Sequence, residues 1–133
     1  MQQSLQLTRN YLIAIAVFVL GRFGLELAGA PQGWTDEISV TRLLFVIPVF
    51  VGLRLASQGL QGAGQLLLAN AVYVIWAIGL VMAVTTIDIL LGLHTHFGHG
   101  RLGPHLLGHV AQMAYMIPVT ALICWVSYRI NSR

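Results

Sequence analysis

Apolar residues along this chain gather into four long blocks, and the polar residues collect between them instead of alternating at the spacing of a soluble amphipathic helix. The blocks run over about 11–29, 43–57, 66–93 and 105–128. A helix that crosses a bilayer needs ~20 mainly apolar residues. The first and fourth blocks meet that length, and the third is long enough to tilt or project. The second is short and carries Pro48: it is either a short span completed by Arg42 and Arg54 snorkelling to opposite interfaces, or a re-entrant segment beside three spans. The pattern predicts an all-α, polytopic membrane protein, a four-transmembrane-helix antiparallel bundle forming one domain over residues 1–133.

The linkers refine this picture. Residues 58–65 are short, glycine-rich and uncharged, which suits a tight turn between neighbouring second and third spans. Residues 30–41 hold Pro31, Gly33 and Trp34, and Asp36 and Glu37 are placed to favour the start of the next helix through its dipole. In residues 94–104, Gly98, Gly100 and Gly103 sit among histidines, and Pro104 suits the first turn of the last helix. The first block resembles a signal peptide in having Arg9, an apolar run and Ala28-Gly29-Ala30. Arg22 and Glu26 interrupt that run and Pro31 would follow the cut, so it reads as a retained helix.

Composition agrees: 57% of residues are hydrophobic and 8% charged, against roughly 25% charged in soluble domains. The small excess of arginine forms no basic patch, so no nucleic-acid partner is expected. Four crossings put Arg9, Arg54, Arg129 and Arg133 on one side, and Arg42 and Arg101 on the other. The positive-inside rule then places both termini in the cytoplasm, in a plasma (inner) membrane. All acids and all five histidines fall on the opposite, outer side. Cys124 has no second cysteine to pair with and reads as a buried, inert thiol.

Glu26, Asp88 and His109 each lie roughly 5–8 Å below the outer surface by helical rise. Arg22 sits one turn below Glu26 on the same face. Arg22, Glu26 and Asp88 therefore form a candidate intramembrane charge cluster, and such groups face a bundle interior or wet cavity. The plain alternative is a structural ion pair that fixes helix packing. Gly21, Gly24 and Ala28 would admit a close neighbour, making the first helix central.

The histidines His94, His96, His99, His105 and His109 crowd one connection. His105 and His109, four apart, share a helix face, while His94 and His96 alternate as in extended backbone. Zinc takes three or four nitrogen or carboxylate ligands, and imidazole also suits copper and iron. The candidate metal set is His94, His105 and His109, with Asp88 or Glu26 completing or orienting it. Haem between axial histidines (His94 or His109) is a weaker variant. The structural alternative is histidines that merely hydrogen-bond headgroups and loop carbonyls, with His96 and His99 as bystanders. Thr85 and Thr86 are expected to back-bond to the preceding turn, and Asn70 and Gln112 to bridge helices. Met113 and Met116 fit core filling better than copper ligation.

No phosphate-binding loop, nucleophile elbow, CxxC or HExxH motif is present, so whether the chain is an enzyme stays open. Three functions follow. The first is a small integral membrane protein with a metal or proton-handling His/carboxylate site at its outer face. The second is an accessory or scaffold subunit contacting other membrane subunits or further copies of itself. The third is a small carrier or proton-coupled channel, whose weakness is an inner half with no charged route onward.

Overall fold

The computed structural model describes residues 2–37, 39–57, 63–98 and 101–132, and every regular element among them is helical. The elements are α1 (Gln2–Leu27), α2 (Gln32–Glu37), α3 (Val40–Ser57), α4 (Ala63–Leu91), a 3-10 turn over His96–Gly98, and α5 (Leu102–Asn131). Four helical segments are long and apolar enough to cross a membrane. Their outward faces carry Val17, Phe50, Leu68, Leu90, Leu122 and Ile130, each more than half exposed, a surface suited to an apolar solvent.

The helix ends follow local chemistry. Gly29 (φ 76°) and Gly92 (φ 61°) adopt the left-handed conformation just past α1 and α4. The next amides fold back, Ala30 N–H to the Leu25 carbonyl at 3.0 Å and Leu93 N–H to the Asp88 carbonyl at 3.1 Å, capping orphan carbonyls. At the start of α3 the Ser39 hydroxyl accepts from Arg42 N–H at 3.4 Å, the geometry of an N-cap. That cap starts the helix before Leu43, so the weakest apolar block gains a turn. At 18 residues α3 is roughly 27 Å long by helical rise, and it runs through Pro48 unbroken. Asp36 and Glu37 end α2 instead of opening α3, and their side chains lie outside the described residues. Of the glycine-rich linker, 58–62 lie outside the described residues, while Ala63, Gly64 and Gln65 already belong to α4.

Packing departs from chain order. α5 lies chiefly against α3 and then α4, α4 bridges to α1, and α3 touches α4 and α1 only along short stretches. Gly52 explains the α3–α5 pairing: a Cβ there would run into the Cys124 carbonyl and lie 2.9 Å from Ser127 Cβ. The Asn131 amide reinforces the pair by donating to the Leu53 carbonyl at 3.1 Å. α3 buries Val40, Leu44, Ile47, Pro48, Val51, Gly52 and Leu55. Among the described side chains of α1, only Ile15 and Val19 join the buried apolar core. Gly21 and Gly24 face open space, so α1 is the peripheral helix, contrary to the central place expected from its small residues.

A polar cluster inside the core joins α4 to α5. Asn70 Nδ2 donates to the Ile117 carbonyl at 3.0 Å and to the Thr120 hydroxyl at 2.8 Å. The Tyr73 hydroxyl donates to Asn70 Oδ1, and Thr120 donates to the Met116 carbonyl at 2.6 Å. Asn70 thus bridges two helices as expected. Met116 and Cys124 are fully buried in the same core.

Candidate functional site

The α4–α5 connection is fastened by carboxyl groups from two helices. After the Gly92 cap, His94 adopts φ 58°, a left-handed conformation that histidine enters more readily than most residues. It is not extended backbone, as its alternation with His96 had suggested. The reversal returns Thr95 to Asp88: its N–H donates to Oδ1 at 3.2 Å and its hydroxyl to Oδ2 at 2.6 Å. The same hydroxyl accepts from Phe97 N–H at 3.3 Å. Asp88 is 1% exposed, so these bonds offset a desolvation that would otherwise be costly. Gly98 packs so closely that a Cβ there would overlap the Asp88 carboxyl group.

The second fastening comes from α1. Glu26 Oε2 accepts from His96 N–H at 2.8 Å, and Oε1 accepts from Arg22 Nε at 3.0 Å. The Arg22 guanidinium lies 5.2 Å from the Phe97 ring centre, and Phe23 meets that ring edge-to-face at 5.9 Å. From α2, Gln32 Nε2 lies 3.4 Å from His96 Nδ1. Arg22, Glu26 and Asp88 therefore share one neighbourhood, with both carboxyl groups holding a loop.

Beside this loop lies a cavity of about 160 Å³. Its polar lining includes Arg22, Thr85, His96, His105, His109 and Gln112, with the hydroxyl residues Ser39 and Thr41, above Leu44, Ile78 and Val81. The end of α1, the start of α3, the end of α4 and the start of α5 all contribute. The His105 and His109 rings lie 5.0 Å apart at 61°, confirming their common face. Gln112 bridges outward, its Nε2 3.5 Å from the Thr41 hydroxyl and its Oε1 3.3 Å from His109 Nδ1.

Two polar atoms of lining residues, His109 Nε2 and Thr85 Oγ1, are buried without a hydrogen-bond partner. Thr86 donates to the Met82 carbonyl at 2.8 Å, and the expected back-bond forms there. At Thr85 it does not, although the residue is fully buried. Unpaired buried polar atoms are rare in folded proteins and call for a cause such as water, an ion or a ligand.

Of the candidate metal set, the structure brings His105 and His109 together. His94 is exposed and outside the cavity lining, and Asp88 and Glu26 serve the loop. Among the described residues, no group of three or more His, Cys, Asp or Glu is placed to hold a metal ion. His99 and Gly100 lie outside the described residues. Sequence reasoning passed over Thr85, Gln112 and His96 as site residues. The spacing of Gln112 three positions after His109 was the available signal, since such pairs meet on a helix.

Comparison with protein-family models, curated proteins and solved structures finds no match.

Proposed function

We propose that this chain is a small integral membrane protein whose four helices cross antiparallel, with a ligand-binding cavity at the outer end. The positive-inside distribution of Arg9, Arg54, Arg129 and Arg133 supports cytoplasmic termini in a plasma (inner) membrane. The observation that carries the binding role is the pair of unpartnered buried atoms, His109 Nε2 and Thr85 Oγ1, on residues lining one cavity. A mixed lining with a few convergent polar groups is what small-molecule sites present. Thermal unfolding of the protein in lipid nanodiscs, screened against zinc, copper, phosphate and small carboxylates, tests the role. A solute that raises the transition of the native chain but not of His109→Ala supports it. No response to the whole panel counts against it.

A second reading, that the occupant is zinc, copper or iron, draws on the proximity of His105 and His109 and the bare nitrogen of His109. Metal analysis after gentle purification decides it: a ratio near zero, unchanged by His105→Ala with His109→Ala, removes it. An accessory-subunit role draws on the exposed face of α1, where Gly21 and Gly24 leave room for another helix. Co-purification of a second chain at fixed stoichiometry, lost in Gly21→Leu, supports that role; purification as a single chain opposes it.

A further inference from the structure

We infer that the cavity takes a small weak oxyacid, such as a short monocarboxylic acid or hydrogen phosphate, and that His109 shares the ligand's acidic proton. This rests on the binding role proposed above and supplies its ligand class. The direction of the Gln112 amide comes first. In this structure the amide presents Nε2 to the Thr41 hydroxyl at 3.5 Å and Oε1 to His109 Nδ1 at 3.3 Å. An amide oxygen only accepts, so Nδ1 carries the hydrogen and the neutral ring presents a bare lone pair at Nε2. The occupant must therefore bring a donor. Thr85, whose hydroxyl has no protein partner, can donate to an acceptor on the same molecule.

Charge narrows the class. Among the described residues, the lining holds Arg22, His96, His105 and His109 and no carboxylate. Asp88 faces Thr95 and Glu26 is shared between the His96 amide and Arg22, so the described lining itself offers an entering cation no carboxylate. A weak acid suits the site in both protonation states. As the neutral acid its O–H donates to Nε2 and its second oxygen accepts from Thr85. With the proton moved to Nε2, the carboxylate or phosphate pairs with an imidazolium and still accepts from Thr85. An alcohol or an amide offers only the first arrangement. The cavity of about 160 Å³ has room for roughly five water molecules at ~30 Å³ each, which fits an acid of a few heavy atoms.

The test uses the full chain in phosphatidylcholine nanodiscs with ¹⁵N-labelled histidine, titrated with acetate and with phosphate. The phosphodiester headgroup lacks the acidic proton and is present throughout, so a lipid source contributes only a constant background. Saturable binding should move the His109 Nε2 resonance from the bare toward the protonated range. One proton is taken up per acetate bound, so affinity should fall about tenfold per pH unit above neutrality. Besides His109, the titratable groups among the described lining residues are Arg22 from α1, His96 from the loop and His105 from α5, with none there from α3 or α4. His96→Gln and His105→Gln should keep that slope, and His109→Phe should lose it. Thr85→Val removes one hydroxyl at constant shape and should weaken binding by about tenfold, the worth of one buried hydrogen bond. It covers the case in which His109→Phe fails to fold. Acetate binding without proton uptake, or unaffected by both variants, overturns the inference. Zinc binding that needs His109, with no response to either acid, overturns it while leaving a ligand cavity in place. Silence of the His109 resonance to acids and zinc alike overturns both.

Discussion

α4 carries two buried polar clusters about four turns apart, and they differ in completeness. At Asn70 and Tyr73 each described side-chain group finds a partner on α4 or α5, and the cluster closes on itself. At Thr85, near the other end, the hydroxyl has no partner, and across the cavity His109 Nε2 has none either. The first cluster is what helix packing alone requires, since an apolar surrounding forces polar groups to pair internally. The second leaves hydrogen-bonding capacity over, and that difference is the ground for the binding role proposed above.

The comparison can be broken at several points. Gly52→Val attacks the scaffold common to both clusters by driving a side chain into the α5 backbone. It should cost about 3 kcal/mol, read as loss of folded protein in a detergent unfolding series. Asn70→Ala strips the closed cluster and leaves the Tyr73 hydroxyl unpaired. A loss of about 2 kcal/mol is expected, and an effect near zero would erase the distinction between the clusters. Asp88→Ala frees Thr95 and should speed hydrogen exchange at residues 95–97 by about tenfold, for a local cost of ~1.4 kcal/mol. Asp88→Asn should do less, because the Thr95 hydroxyl can reverse and accept from the new amide. Thr85→Val sharpens the contrast most with the smallest effect. Without added solute its stability should stay within ~0.5 kcal/mol of the native chain. A cost like that of Asn70→Ala would mean the hydroxyl already has a protein partner.

Much of the architecture was legible because the bilayer length rule reads directly on apolar runs. Existence of the long helices, Pro104 in the first turn of α5 and the shared face of His105 and His109 all followed from spacing. Helix adjacency did not. The α3–α5 pairing depends on Gly52 meeting the backbone around Cys124, a contact between positions far apart in sequence that no local pattern announces. The carboxyl groups misled for a related reason. Glu26 and Asp88 do reach the connection between α4 and α5, but depth carries no information about which way a side chain turns. Both turn to the amides of residues 95 and 96, a demand created by the left-handed turn at His94.

The bond from His96 to Glu26 spans 70 positions, and this bears on how the protein is made. If the chain enters a bilayer as proposed above, α1 would do so before residue 96 leaves the ribosome. Throughout that interval the acid on the first helix must wait for its eventual loop. Arg22, one turn away and already synthesised, would be its companion meanwhile: an acid on a helix entering a bilayer would be held by its own neighbour until the rest of the molecule arrives.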